Sequence, residues 1–266
     1  MAAAGGLHPP RAAPCSLLAP TGPRRRFAMV RADLSALRRV GHAHAASVND
    51  LLLAALSGAV HTLLAHRGEQ VNELQVGVMV AARSGASVET PGNQAAPLLV
   101  TVPTAGTAFQ RLSRIAGVVG AARAYAAAQP PIAILQPLLR VCAAAGLYRR
   151  YLSHQHRLHL LVSNVPGPRE PVTLDSVPIR AAIPLGVGET GNLTLTAVAL
   201  SYAGTLAITL VADSDRMPDL ELLARLLQAE LDGWTALADA PGREHVAAGT
   251  RWQTHQLGEE PDDPPQ

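Results

Sequence analysis

Residues 47–66, SVNDLLLAALSGAVHTLLAH, form the stretch that decides the fold. A serine at the N-cap position offers an oxygen to the free amides of a first helical turn, and Asp50 suits the positive end of a helix. Leucine, alanine and valine then recur at helical spacing, and Gly68 follows as a stop signal. The sequence therefore predicts a helix over residues 47–67 with one apolar stripe.

Short strands and further helices are predicted on both sides of this helix. A strand at Arg26–Arg31 precedes Asp33, which can cap a brief helix. Further strands are predicted at 74–82, 98–102, 158–163, 192–200 and 206–211, and further helices at 107–128, within 131–152 and after Pro218. Ala203-Gly204 suits a tight hairpin between the last two strands. Interspersed helices and strands predict an α/β or α+β class, with a mixed sheet flanked by helices.

Composition divides the chain into three parts. Residues 1–22 are rich in Ala, Pro and Gly and are interpreted as a flexible leader. Residues 23–240 carry the apolar periodicities and are predicted to form the folded domain. Residues 241–266 are polar and rich in proline, so we expect a disordered tail. With 48% hydrophobic residues, the chain can bury a sizeable core.

The charged and sulfur-containing residues exclude several classes of protein. All 22 basic residues are arginine, the net charge is only +2, and no arginine run is interleaved with aromatics, so we expect no nucleic-acid partner. The two cysteines, Cys15 and Cys142, lie far apart, which argues against a disulfide framework and favours the cytoplasm. Neither a signal peptide nor a transmembrane helix is predicted.

Three histidines lie close together in the sequence at His154, His156 and His159. Metal binding needs side chains that converge, whereas on a strand the first two share a face and the third lies on the other. We therefore interpret the cluster as a polar segment that faces solvent, and we predict no metal site.

Four motifs occur in a familiar order and spacing: Ser47–Ala55, Gly92-Asn93, the loop Ser163-Asn164-Val165-Pro166-Gly167-Pro168, and Leu200–Gly204 followed by Val211–Asp213. They resemble the Val-Asn-Asp helix opening, the Gly-Asn step, the Ser-Asn-Val-Pro-Gly-Pro loop and the C-terminal hairpin of the bacterial wax ester synthase/diacylglycerol acyltransferase family. The resemblance covers roughly residues 24–236 and falls in the C-terminal half of that family's proteins. It implies that residues 1–22, besides being a flexible leader, are the remnant of the linker between the two halves.

The resemblance implies one lobe of the CoA-dependent acyltransferase fold, which chloramphenicol acetyltransferase and condensation domains share. Two such lobes form a V around a tunnel, where acyl-CoA, a substrate and not a bound cofactor, acylates an alcohol or diacylglycerol. The family's general base is the second histidine of His-His-x-x-x-Asp-Gly in the other lobe. That motif does not occur in these 266 residues, since His42/His44 and His154/His156 lack an aspartate at the required spacing.

The resemblance also suggests residues that line the tunnel: Asn49, Asp50, Asn93, Ser163, Asn164, Pro166, Gly167 and Arg169. No catalytic or metal-binding residue is assigned. Helix capping alone also explains Asp50, although it explains Asn49 less well. A tight turn alone could explain the prolines and glycine of the loop.

We therefore expect half of an acyl-CoA-dependent O-acyltransferase that makes wax esters or triacylglycerol. The isolated chain should be inactive or nearly so, and a catalytic lobe on a separate chain is the expected partner. A non-catalytic interaction or lipid-binding module and a truncated gene product are the alternatives. We expect a cytoplasmic location, with peripheral attachment to a membrane or lipid inclusion as a further option, and an exposed apolar face formed by residues 47–67 and 131–148.

Overall fold

The computed structural model describes residues 11–81, 95–128, 147–188 and 191–239. In chain order its elements are β1 (Arg25–Asp33), α1 (Leu34–Ala43), α2 (Val48–His66), β2 (Glu73–Ala81), β3 (Ala95–Pro103), α3 (Ala108–Ala128), α4 (Leu147–Ser153), β4 (Leu160–Pro166), β5 (Thr173–Leu174), β6 (Val177–Pro178), β7 (Leu195–Tyr202), β8 (Thr205–Asp213) and α5 (Leu220–Asp239). Strand β4 continues through Asn164–Pro166, where the sequence predicts a loop, because these residues pair with β7.

Six of the described strands form a mixed sheet in the order β1-β8-β7-β4-β2-β3, which confirms the predicted class. Strand β4 runs parallel to both β2 and β7, whereas the other neighbours are antiparallel. The β7–β8 hairpin turns through Ala203 and Gly204, which both have positive φ, as a two-residue type I′ turn requires. The carboxyl ends of β2, β4 and β7 therefore lie at one edge of the sheet, here called the upper edge.

Helix α2 is the centre of the core. It packs against α3 and α5, and every residue from Asn49 to Val60 is buried. The expectation of one apolar stripe is therefore wrong, because helices surround α2 as well as the sheet. Helix α2 is also long and apolar enough to cross a membrane, but 78% of its apolar stretch is buried inside the domain.

The segment at residues 11–22 packs onto the domain, which differs from the flexible leader predicted for residues 1–22. Leu17 is fully buried, and its carbonyl accepts hydrogen bonds from the backbone N–H and hydroxyl of Thr194. The guanidinium of Arg67 donates to Ser16 Oγ at 2.5 Å. Apolar burial and these bonds offset the entropy of ordering a segment rich in alanine and proline.

His159 lies inside this contact and does not face solvent. Its side chain is fully buried, so the interpretation that the cluster faces solvent is wrong for His159. His154 and His156 are exposed. Its Nδ1 accepts the backbone N–H of Gln75 at 2.9 Å, and its Nε2 lies 2.8 Å from the carbonyl of Ala13. The Gln75 bond assigns the proton to Nε2, which then donates to Ala13. Burial lowers the pKa of His159, although the bond to Ala13 partly opposes that effect.

The described helices α1, α2, α3 and α5 cover one face of the sheet. Ala28 and Val30 of β1 belong to the core on that side, whereas Phe27 and Met29 point to the other face and are exposed. Residues 172–188, here called the strap, cross part of this second face. Gly186 of the strap lies against Val198, so the strap contacts the middle of the sheet.

Candidate functional site

A pocket of about 220 Å³ opens at the upper edge of the sheet, beside the first residues of α1 and α2. Its described lining comprises Leu34, Val48, Asn164, Pro166, Ser201 and Leu206. These residues come from two helix starts, from the end of β4 and from the β7–β8 hairpin. Ligands of open sheets with parallel strands bind outside the carboxyl ends of those strands, so the pocket lies where this topology favours a site.

A capping box fixes the beginning of α2 at this edge. Ser47 Oγ accepts the backbone N–H of Asp50, while Asp50 Oδ2 accepts both the backbone N–H and the hydroxyl of Ser47. Asn49 Nδ2 and Asp50 Oδ1 are buried and have no hydrogen-bond partner among the described residues. Capping therefore accounts for one oxygen of Asp50, and it leaves the Asn49 amide unexplained. A buried polar atom without a partner is costly, so the protein contacts described here do not account for the Asn49 amide.

Strand alternation separates the candidates on β4. Asn164 and Pro166 point to the pocket side, whereas Ser163, which follows the core residue Val162, points to the opposite face of the sheet. Gly167 lies so close to the backbone carbonyl of Ser201 that a Cβ there would collide with it. Its N–H donates to Ser201 Oγ at 3.1 Å, so the loop is held against β7. Arg169 is exposed.

The structure brings together only part of the set that the sequence suggests. Asn164 and Pro166 line the pocket, and Gly167 supports it through Ser201. Asn49 and Asp50 lie in the same helical turn as Val48, which lines the pocket. Asn93 lies outside the described residues.

Sequence reasoning does not select four of the lining residues: Leu34, Val48, Ser201 and Leu206. Val48 and Ser201 belong to the motifs that carry the resemblance, and that membership was the available signal. Leu34 and Leu206 look like ordinary core leucines in the sequence, and only the folded chain places them at the pocket.

The side chains that line the pocket suit the binding of a ligand. Four of its six described lining residues are apolar, and none carries an ionisable side chain. Within the described ranges, no three His, Cys, Asp or Glu side chains come together as a metal site. These residues supply neutral hydrogen-bonding groups and apolar walls, which suit an uncharged or aliphatic ligand. None of them can act as a general base at neutral pH.

The strap, whose base lies near this edge at Tyr202, presents a row of apolar side chains to solvent farther along the sheet. Ile183, Leu185 and Val187 alternate with small residues that face the sheet, and their exposed fractions are 53%, 69% and 93%. Tyr202 ties the base of the strap, because its hydroxyl accepts the N–H of Val172 at 2.9 Å and donates to the carbonyl of Ile179 at 2.7 Å. Exposed apolar side chains in a row make the strap a candidate interaction surface.

Solved structures share this fold. A wax ester synthase/diacylglycerol acyltransferase from Marinobacter aquaeolei VT8 superposes with a TM-score of 0.67 at 20% identity, over 86% of this chain and 53% of that chain. The first condensation domain of the CDA synthetase gives a TM-score of 0.53 at 16% identity, over 81% of this chain and 46% of that chain. The predicted acyltransferase and condensation-domain fold is thus confirmed.

Relatives are also similar in sequence. The chain is 30% identical over 228 residues to a Mycobacterium tuberculosis protein named as a diacylglycerol O-acyltransferase, and covers 45% of that protein. It is 28% identical over 227 residues to the O-acyltransferase WSD of Acinetobacter baylyi, of which it covers 48%. Each alignment takes in 82% of this chain. The chain therefore spans about half the length of these relatives.

The family model described as the WS/DGAT C-terminal domain matches residues 91–233. That range comprises 143 residues of the 266 in the chain. The match includes β3, α3, β4 with its loop, the strap, the β7–β8 hairpin and most of α5. Since it takes in more than half of the sequence, the chain belongs to the wax ester synthase/diacylglycerol acyltransferase family, as a protein with that family's C-terminal domain.

Proposed function

We propose that this chain works as the C-terminal half of an acyl-CoA-dependent O-acyltransferase that makes wax esters or triacylglycerol. The pocket at the upper edge forms part of one wall of the tunnel that holds the reactants. The observation that carries the proposal is the position of that pocket: two motifs that carry the family resemblance, at the start of α2 and the end of β4, contribute Val48 and Asn164 to the same cavity.

The division of labour follows from the chemistry of the pocket. Acyl transfer to an alcohol needs a base that takes the hydroxyl proton, a contribution of about 10²–10⁴-fold in rate. The described pocket offers no such base, so in this proposal the histidine motif of an N-terminal half supplies it. This half contributes binding surface, and acyl-CoA is a substrate.

The strap supports a docking role for the same chain. Its outward row of Ile183, Leu185 and Val187 is exposed in the absence of other chains. Since the relatives are about twice as long as this chain, we assign the surface to the half that corresponds to their N-terminal part, on the same polypeptide or on another. Binding at a membrane or lipid inclusion would use the same exposed surface.

The test is reconstitution of acyl transfer from two halves. The 266-residue chain is mixed with the N-terminal half of the Mycobacterium tuberculosis relative, and transfer of a palmitoyl group from palmitoyl-CoA to 1-hexadecanol or diolein is measured. The chain alone should give only background, and the mixture should give ester. The matched control replaces the second histidine of His-His-x-x-x-Asp-Gly in the N-terminal half by alanine, which should return the mixture to background.

A lipid-binding module without catalysis is the competing function, because the pocket has apolar walls and no ionisable group. That alternative predicts that the chain binds lipid but gives no ester with any N-terminal half. Robust ester formation by the isolated chain would contradict both proposals.

A further inference from the structure

Strand β1 forms one outer edge of the sheet, and none of the described strands pairs with its outer side. In an antiparallel pair, successive residues turn their backbone groups alternately towards the partner strand and away from it. Arg31 turns its backbone away from β8, because its N–H and its carbonyl both bond to the side chain of Gln228 on α5. By the same alternation, Phe27 and Met29 present their N–H and carbonyl groups to the outside.

Gln228 takes the place of a neighbouring strand at Arg31. Its Oε1 accepts the N–H of Arg31 at 3.1 Å, and its Nε2 donates to the carbonyl at 2.9 Å. Within the described ranges, no side chain bonds in this way to the outward backbone groups of Phe27 and Met29. Unpaired groups on an outer strand are a template for another extended segment, and peptide recognition by strand addition uses them.

The other outer strand, β3, is less suited to this kind of pairing. It contains Pro97 and Pro103, and proline has no N–H to donate to a neighbouring strand. Strand β1 contains no proline. Of the two outer strands, β1 is therefore the better acceptor of an added strand.

The side chains at this edge combine apolar surface with positive charge. Phe27 and Met29 lie on one face of β1 and are 45% and 40% exposed. Arg26 and Arg31 flank them along the strand. The guanidinium of Arg26 donates to the carbonyl of Pro218 at 3.2 Å, and neither arginine has a carboxylate partner in the part of the chain that the structure describes. An added strand would therefore need apolar side chains with acidic ones on either side.

Four carboxylates near β1 are already engaged inside the domain. They accept hydrogen bonds from Arg24, Arg25, Ser35 and Gln228, and they belong to Asp215, Asp213, Asp33 and Asp232 respectively. The charges left to face an added strand are those of Arg26 and Arg31. Pairing of two copies of β1 would bring the arginines of one copy against those of the other, and like charges opposite each other are destabilising. The edge thus disfavours its own copy and favours an acidic strand.

From these features we infer that the outer edge of β1 is an interaction surface that binds an extended, acidic segment of another protein by strand addition. The segment pairs with the backbone of Phe27 and Met29, covers their side chains with apolar residues, and places carboxylates beside Arg26 and Arg31. Residues 259–263 of this chain are also acidic, but Pro261 divides them and lacks the N–H that pairing needs. This binding goes beyond the proposed function and does not depend on acyl transfer.

The test uses the 266-residue chain and three synthetic peptides. Fluorescein-labelled Ser-Glu-Thr-Val-Thr-Val-Glu-Ser has the required pattern: paired antiparallel to β1, its valines lie opposite Phe27 and Met29 and its glutamates opposite Arg26 and Arg31. Fluorescence anisotropy measures its binding. Methylation of the two valine N–H groups should weaken binding about 10-fold, because two hydrogen bonds between the strands are lost. Lysine in place of both glutamates should weaken it by about 10-fold as well, because attraction becomes repulsion.

Two variants of the protein test the location. Met29→Glu places a negative charge in the middle of the edge and should weaken binding of the unmodified peptide by about 10-fold or more. Leu99→Glu makes a matched change on β3, at a residue that is 41% exposed, and should leave binding unchanged. Circular dichroism and thermal melting confirm that both variants are folded. In NMR, the amide protons of Phe27 and Met29 should exchange more slowly with solvent when the peptide is bound.

Several results would overturn the inference. Failure of the unmodified peptide to bind, equal binding of the methylated peptide, or unchanged binding by Met29→Glu would each exclude strand addition at β1. A dimer of the wild-type chain that Met29→Glu dissociates would identify a second copy as the occupant. Tighter peptide binding after replacement of the carboxylates in residues 259–263 by amides would identify this chain's own acidic stretch as the occupant.

Discussion

Arg111 of α3 and Glu230 of α5 form a two-pronged ion pair across the backbone of α2, with Arg111 Nη2 at 2.7 and 2.6 Å from the two carboxylate oxygens. The pair passes directly over Gly58, where a Cβ would collide with both side chains. Arg111 also donates to the carbonyls of Ala54 and Gly106. The absence of a side chain at Gly58 thus lets three helices meet through one arginine.

Gly58→Ala should destabilise the protein even though alanine is the better helix former. The added methyl group forces Arg111 and Glu230 apart, and overpacking of this kind costs about 1–3 kcal/mol. Urea unfolding followed by circular dichroism measures the effect. Gly117→Ala is the matched control: Gly117 also lies within a helix, but a Cβ there meets nothing within 4 Å. Gly117→Ala should stabilise the protein by about 0.5–1 kcal/mol. Equal effects of the two variants on the free energy of unfolding would contradict the expected collision at Gly58.

Glu230→Gln should also lower the free energy of unfolding, by about 1–3 kcal/mol, the cost of leaving a buried group without its partner. The substitution leaves the guanidinium of Arg111 charged, with 8% of its side chain exposed, and removes its carboxylate partner. Asp215→Asn is the control, because the Arg24–Asp215 pair is largely exposed and such pairs contribute less than about 1 kcal/mol. A larger loss for Asp215→Asn than for Glu230→Gln would refute this ranking.

The sequence predicts the order and type of the six strands in the main sheet and of the helices packed on it, because the local signals are strong, but it does not predict the short strands β5 and β6. Ser47 and Asp50 cap α2 in the predicted way, and the hairpin turns at Ala203-Gly204, as predicted. The sequence does not predict that α2 is buried on all sides, because this burial depends on α3 and α5, which pack against it in the folded domain. It fails for His159 because the groups that satisfy that imidazole, Gln75 and Ala13, lie far away in the sequence.

The candidate site is predicted less completely for the same reason. Asn164 and Pro166 could be chosen because proline, glycine and asparagine after a strand are conspicuous. Ser201 could not, since a serine in a strand is an ordinary residue until the β4 loop lies against it. Ser163 shares the motif with Asn164, and only the alternation of β4 places it on the other face of the sheet.

Lowering the pH should reduce the free energy of unfolding, because His159 is buried in its neutral form. Its folded pKa is lowered from 6.5, first by burial, so below pH 6.5 the unfolded chain takes up a proton that the folded chain does not. The stability that the neutral imidazole contributes is therefore complete above pH 6.5 and is lost as the pH falls towards the folded pKa. The free energy of unfolding should fall more steeply between pH 6.5 and 5 for the wild-type chain than for His159→Gln.

Urea unfolding at pH 7, 6 and 5 checks this difference. His156→Gln serves as the control, because His156 is exposed, and its curve should run parallel to that of the wild type. Parallel curves for the wild type and His159→Gln would show that the buried imidazole does not control the acid response.

The expected apolar face lies elsewhere than the sequence suggests. Helix α2 is buried in its own domain, so the expectation that residues 47–67 contribute is wrong, and most of the other expected contributor, residues 131–148, lies outside the described residues. Among the exposed apolar residues that the structure describes, those of the strap share one face of the sheet with Phe27 and Met29 of β1. A pattern of apolar residues indicates burial, but it does not say whether the same chain supplies the cover.

The strap should make the isolated chain bind hydrophobic probes and self-associate. Replacing Ile183, Leu185 and Val187 together by serine should lower the fluorescence of bound 8-anilinonaphthalene-1-sulfonate severalfold and shift the protein towards monomer in analytical ultracentrifugation. Thermal stability should change little, because these side chains point away from the sheet and exposed substitutions alter stability by about 0.5 kcal/mol or less. Leu237→Ser, at a residue of α5 that is 45% exposed, controls for the loss of a leucine at another surface. Unchanged probe binding by the triple variant would show that the strap is not the surface that binds the probe. The docking role assigned to the strap in the two-half enzyme would then have to be abandoned.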